Sequence, residues 1–313
     1  MTEPTAYLNG NYVPISQASL HVFDLGVVSG ASVTEMVRTF RHVPFRLDEH
    51  LARLEQSLQI VGFECGVSMA ELKSICERVV SENARLIPAH HDLGLIVFVT
   101  AGQNLTYVGR AGAASAKQPT VCVHTFPLPF ELWADSCQNG LHLVTVETRS
   151  IPDDVIDARV KHRSRLHWHL ADQQAKKINP RGVAVLTSHL GTLTETASGN
   201  LWMFQQGQLV TPATNVLHGV SRDVVIELCG NIFQPAHVRD IEPHELSSAD
   251  EAFISSTPCC LLPVTQFNGR PIGTGSSGPM YRRLMDEWSQ LVGLDIVEQM
   301  LTVAEERAGK IEA

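Results

Sequence analysis

The sequence is short of positive charge: 24 Lys and Arg stand against 33 Asp and Glu, a formal net charge of −9. No global positive field is therefore present to hold a polyanion such as nucleic acid. No apolar run approaches the roughly 18 residues of a membrane span. The opening stretch, MTEPTAYLNG, lacks the basic and apolar regions of a secretory signal. A cytosolic protein with neither a membrane nor a nucleic-acid partner is expected. Seven cysteines, an odd number running from Cys65 to Cys260, form no CxxC pair, so reduced thiols rather than disulfides are expected. There is no repeat with a period of about 20 to 50 residues, no GxxxxGK[ST] phosphate loop and no GxSxG nucleophile turn. These absences count against repeat arrays, nucleotide hydrolysis and the common serine hydrolases. What is present, 44% hydrophobic and 18% charged residues over 313 positions, is the composition of a compact globular chain. Its length suits one large domain or two of roughly 150 residues each.

Local patterns predict a mixed α and β (α+β) fold. Residues 6–15 read as a hairpin around Asn9-Gly10-Asn11, and 32–40 with 44–46 as a second strand pair turning at Arg41-His42. Leu47, Leu51, Leu54, Leu58 and Val61 recur at helical spacing, with Arg53 off that stripe. Ser68 with Glu71 three residues later predicts the capped start of a second helix. Strands are expected at 95–100 and 120–125, with a mobile Gly/Ala/Ser loop over 108–118 between them. Two prolines in Phe126-Pro127-Leu128-Pro129-Phe130 suit an inter-domain crossing, so the domains are placed at 1–127 and 128–313. In the second, a helix is expected over 163–178, strands near 141–146, 183–187, 200–204 and 252–256, and hairpins at 206–208 and 267–271. A helix over 221–229 and one terminal helical segment over 280–303 complete it.

Gly273-Thr274-Gly275-Ser276-Ser277-Gly278 matches a dinucleotide fingerprint literally. It lies too near the C-terminus to open a βαβ unit, and Pro279 follows it, so a flexible loop is the better reading. His167-Trp168-His169 points its two imidazoles to different helix faces and His90-His91 falls in a loop; no metal site is assigned. Three features between Asp157 and Arg222 remain. Lys161 ends an apolar-polar run, Glu195 sits in a Thr/Ser/Gly-rich turn (LTETASGN), and Gly219-Val220-Ser221-Arg222 joins a glycine turn to an apolar helix. Each has an ordinary reading: a solvated lysine, an unremarkable acid, an N-cap serine. Each also has a chemical one, and the last could receive a phosphate on unpaired helix amides.

In this order they resemble the class IV aminotransferases, the fold-type IV pyridoxal phosphate enzymes that include branched-chain and D-amino acid aminotransferases and aminodeoxychorismate lyase. The resemblance covers most of the chain. Its N-terminal part is Asp24-Leu25-Gly26, the run Gly30 to Arg38 (GASVTEMVR) and the run Phe45 to Ser57 (FRLDEHLARLEQS). Its C-terminal part is Lys161, Glu195 with Asn200, Leu209-Val210-Thr211-Pro212, Gly219 to Arg222, Ala249 to Phe253, and Ser256-Thr257.

The resemblance implies a smaller N-terminal α/β sandwich and a larger C-terminal pseudo-barrel domain carrying the Schiff-base lysine. Lys161 would join pyridoxal 5'-phosphate and shuttle a proton between the substrate Cα and the cofactor. Glu195 would keep the pyridine nitrogen protonated, with Asn200 beside it. Arg53 would hold the phosphate by a forked contact, with the Val220 and Ser221 amides and Thr257 completing the cup. Two departures bear on substrate. Ala101 stands where D-amino acid aminotransferases carry a carboxylate-gripping arginine, and Leu166 where branched-chain members carry a tyrosine. Arg38 and Arg163, together with Arg110 and Arg165, are candidates for a substitute clamp. The expected activity is amino transfer between a small amino acid and a 2-oxo acid by a homodimer. The alternatives are 4-amino-4-deoxychorismate lyase, suggested by Lys161-His162-Arg163, and a PLP-binding homologue that has lost turnover.

Overall fold

A computed structural model of the chain describes residues 3–109 and 118–311. Arg110 and most of the Gly/Ala/Ser stretch expected to be mobile lie outside them. Contacts divide the chain into two compact units. The first comprises Met1–Leu128 with Val160–Arg165, and the second comprises Pro129–Arg159 with Leu166–Ala313. The lysine expected in the C-terminal half thus belongs, with its neighbours, to the first unit. The reason is backbone pairing: Thr34 N–H donates to Lys161 O, Arg163 N–H donates to Ser32 O, and His162 bridges Val33.

The first unit is a six-stranded antiparallel sheet in the order β2-β1-β6-β5-β3-β4. Its strands are β1 (Thr5–Leu8), β2 (Asn11–Pro14), β3 (Ser32–Phe40), β4 (Val43–Pro44), β5 (Leu93–Thr100) and β6 (Thr120–Pro127). Both predicted turns form with positive φ, at Asn9 (47°) and Gly10 (89°), and at Arg41 (50°) and His42 (66°), the conformation that short hairpins favour because it matches strand twist. Among the described residues four α-helices accompany the sheet: α1 (Leu25–Val28), α2 (Leu47–Val61), α3 (Met69–Ala84) and α4 (Leu105–Val108). The Ser68 side chain accepts the Glu71 N–H as the sequence pattern predicts. Leu51, Leu54 and Leu58 of α2 and Leu72, Ile75 and Val79 of α3 bury against Val33, Val37, Leu95, Val97 and Val123 of the sheet. Alternation along each strand sends the other residues to the opposite face. There Met36, Ile96, Phe98 and Phe126 remain only half-buried.

The second unit has nine strands among the described residues. Six of them close into a ring, β10-β13-β14-β7-β8-β9, because β9 pairs β10 as well as β8, which is the barrel the resemblance implies. Their ranges are β7 Leu141–Thr145, β8 Gly182–Thr187, β9 Leu193–Thr196, β10 Asn200–Gln205, β13 Glu251–Ser256 and β14 Cys260–Phe267. Outside the ring, β11 (Gln208–Thr211) and β12 (Ala236–Val238) extend from β10, and β15 (Arg270–Pro271) pairs β14. The helix expected from 163 begins at Leu166 and runs to Ile178, since Val160–Arg165 is held extended against β3. The single terminal segment is two helices, Pro279–Val292 and Ile296–Ile311, interrupted at Gly293, whose φ is +65°. The GxGxxG stretch is the loop before the first of these, and Glu251 of β13 accepts the Met280 and Tyr281 N–H groups there. No helix among the described residues is long and apolar enough to cross a membrane.

Candidate active site

In the first unit, strand β3 and helix α2 build the surroundings of Lys161. Val33, Glu35 and Val37 alternate toward the helices, so Glu35 delivers a carboxylate into a hydrophobic core, where it is 0% exposed. A charge there requires partners, and α2 supplies them from one flank. His50, Arg53 and Ser57 lie at i, i+3 and i+7, beside the leucine stripe. Arg53 donates from Nε to Glu35 Oε1 (2.8 Å) and from Nη2 to Oε2 (2.7 Å), and His50 Nδ1 lies 2.8 Å from Oε2. Arg53 itself is 9% exposed. The fork that the resemblance assigns to a phosphate is therefore committed to Glu35.

Burial works against the Glu35 charge, but the Arg53 guanidinium and the His50 hydrogen bond prevail and hold its pKa at about 2. Burial lowers the His50 pKa, against the pull of Glu35, so the imidazole is neutral near pH 7. A carboxylate can only accept, which places the imidazole hydrogen on Nδ1. Both shifts are downward, so at falling pH the unfolded chain binds protons that the folded chain refuses. Stability is expected to decline first as pH drops below His50's ordinary value of 6.5, and again between 4.5 and about 2 through Glu35. Urea unfolding at pH 7.5 and 5.5 checks this: His50→Gln should flatten the first decline, and an unchanged slope would contradict it.

Ser57 completes the flank by accepting the Lys161 N–H through its hydroxyl (3.2 Å), while Lys161 O accepts from Thr34 N–H (2.8 Å). The lysine's main chain is thus held on both sides by the elements that carry Glu35 and Arg53.

The barrel unit carries the other candidate residues. Glu195 of β9 is opposite Asn200 of β10, and its Oε2 accepts from Asn200 Nδ2 (3.1 Å) and from Leu217 N–H (3.2 Å). Helix Val220–Asn231 follows, with Gly219, which has no side chain to cap it, at its N-cap. Val220 and Ser221, 6% and 7% exposed, start this helix, where amide donors and the helix dipole favour an anion. Ser221 is thus not the N-cap that the ordinary reading offers. Arg222 is buried and donates to Pro212 O (3.2 Å). Burial lowers its pKa while Asp223 and Glu195 oppose that. At the end of β13, Ser256 hydroxyl donates to Ser198 O, tying Thr257's neighbour to the Glu195 turn. Within the barrel unit, a helix start and a carboxylate held by two N–H donors suit the phosphate and ring nitrogen of a phosphorylated pyridine; within the first unit, Lys161 has a fixed backbone from which its amine can meet an aldehyde.

The two clamp candidates among the described residues differ. Arg38 is 1% exposed, with its guanidinium 4.2 Å from the Phe40 ring centroid, a cation built into the first unit. Arg163 is exposed, 5.5 Å from the Phe98 ring centroid. Sequence reasoning missed Glu35, His50, Ser57 and Leu217. For Glu35 a signal existed, namely an acid at an inward position of an apolar strand.

The family model for amino-transferase class IV matches residues 32–267. A putative branched-chain-amino-acid aminotransferase of Methanocaldococcus jannaschii is 31% identical over 291 residues, spanning 91% of this chain and 95% of that protein. The D-alanine aminotransferase of Bacillus licheniformis is 30% identical over 88% of this chain and 93% of its own length. Among solved structures, the Escherichia coli branched-chain amino acid aminotransferase superposes with a TM-score of 0.83 at 25% identity, covering 93% of this chain and 94% of that one. The branched-chain enzyme of Thermobaculum terrenum, in its PLP form, gives 0.78 at 21% identity, over 93% and 94%. The chain belongs to the class IV aminotransferases, and pyridoxal phosphate is its cofactor.

Proposed function

We propose that this transaminase moves an amino group between a small amino acid and a 2-oxo acid in a ping-pong cycle, with Lys161 as its catalytic residue. The observation that carries this reading is the pinned backbone of Lys161 beside the buried Glu35–His50–Arg53 network. Bound pyridoxal phosphate supplies the electron sink for a carbanion at the substrate Cα. Lys161 Nζ would take up the proton removed from that Cα and act as its carrier. Glu195 holds a proton at the pyridine nitrogen, aided by Asn200. Val220 and Ser221 amides and the Thr257 hydroxyl hold the phosphate from the barrel unit, and Arg53 adds positive charge in a geometry fixed by Glu35. With arginine absent at Ala101, exposed Arg163 is assigned to the substrate carboxylate, in preference to buried Arg38.

The test is a half-reaction. Cofactor-loaded protein mixed with an amino donor alone should lose its visible band, gain the pyridoxamine absorbance and release one equivalent of 2-oxo acid, and Arg163→Ala should require more donor for the same conversion. Failure with every L and D donor, together with pyruvate release from 4-amino-4-deoxychorismate, would make the chain a lyase instead. Absence of any visible band would leave the non-catalytic reading. A homodimer is the assembly expected, and the half-buried apolar row Met36, Ile96, Phe98 and Phe126, on the sheet face away from α2 and α3, is the surface we assign to it. Sedimentation at the mass of a single chain would contradict that assembly.

A further inference from the structure

The barrel closes between β9 and β10 through one residue pair, Glu195 opposite Asn200. Directly opposed residues place their side chains on the same face of a sheet, so closure itself sets the carboxamide beside the carboxylate. Asn200 Nδ2 donates to Glu195 Oε2 (3.1 Å) and to Leu217 O (2.8 Å), which uses both of its hydrogens. Leu217 returns its own N–H to the same Glu195 oxygen (3.2 Å). Two residues on, Gly219 caps helix Val220–Asn231 with a φ of −75°. Any residue adopts that backbone, so conformation does not demand glycine there. Space does, because a Cβ on Gly219 would overlap Asn200 Oδ1. Asn200, 6% exposed, is therefore boxed between the acid on one side and the approach to the helix on the other.

Resting on the function proposed above, we infer that Asn200 is a positioning residue that fixes the spacing between the Glu195 carboxylate and the N-terminal amides of helix Val220–Asn231. The ring nitrogen and phosphate of pyridoxal phosphate are covalently joined, so their separation is confined to a narrow range. A protein that holds the two matching sites in register before binding avoids the cost of ordering them afterwards. Gly219 belongs to the same device, as the clearance that lets the carboxamide sit against the helix start.

The experiment is a double-mutant cycle read as the dissociation constant of pyridoxal phosphate for the full chain stripped of cofactor. Asn200→Ala leaves Leu217 O and Glu195 each short of a donor and should weaken binding by about tenfold or more. Gly219→Ala should weaken it comparably, by pushing the carboxamide aside. The double variant should bind no more weakly than Asn200→Ala alone, because the collision partner is gone; penalties that multiply would overturn the inference. If Gly219→Ala does not fold, Asn200→Ala can be tested with pyridoxal, which lacks the phosphate, and with a cofactor analogue carrying carbon in place of the ring nitrogen. The penalty should shrink with both, because the spacing matters only when both ends are held; a penalty that persists in full with either would show that Asn200 acts on one end alone, which overturns the inference. Wild-type protein that fails to bind pyridoxal phosphate would sink the proposed function, whereas unchanged binding by Asn200→Ala would sink only this inference.

Discussion

Lys161→Ala should abolish transamination, with kcat falling by about 10⁴-fold or more, because one amine serves as both covalent attachment and proton carrier. The variant should still fold and still bind cofactor. Lys161 is anchored through its own N–H and C=O, to the Ser57 hydroxyl and the Thr34 amide, and alanine retains both groups. Binding would then rest on the helix amides, Glu195 and Arg53, which lack nothing in the variant. Thermal melting, cofactor titration and the donor half-reaction separate these statements. A variant that melts normally and turns over within tenfold of wild type would remove Lys161 from the mechanism.

Glu35→Ala should be the most destabilising single substitution in the first unit, by about 3–5 kcal/mol, since it leaves the buried Arg53 without its counter-charge. Glu35 is fully buried and Arg53 nearly so, so solvent does little to screen the loss. The pair adds less than that figure suggests: replacing both partners by apolar residues of similar volume costs far less than removing one. Glu35→Leu combined with Arg53→Met should accordingly recover much of the stability but not cofactor affinity. Urea denaturation of the single and double variants measures the first outcome and cofactor titration the second. A double variant less stable than Glu35→Ala would show that the network's value lies in its charges.

These expectations separate what the sequence displays from what it conceals. Hairpins at Asn9-Gly10 and Gln206-Gly207 are legible because residues that tolerate positive φ announce them locally, and each adopts it. The start of α3 is legible because Ser68 and Glu71 stand at capping distance. The terminal helices read as one segment because a single glycine inside an apolar pattern is a weak break, and Gly293 becomes decisive only through its left-handed conformation. The Glu195–Asn200 pair is a local hairpin across Ala197-Ser198-Gly199, whereas the parallel pairings of β7 with β8 and β14 that complete the ring join distant segments and leave no periodic trace. The family motifs do name Lys161, Arg53, Glu195 and Ser221. They are silent on why Arg53 is rigid, because that answer is Glu35, from a strand whose pattern otherwise reads only as core.

The amine at position 161 can be examined directly. Cofactor-loaded protein is reduced with borohydride to make any lysine attachment permanent, digested and mapped by mass spectrometry. The account predicts one phosphopyridoxyl group, carried by the peptide containing Lys161. A label on Lys73, Lys176 or any other lysine, or none in protein that binds the cofactor, would contradict it.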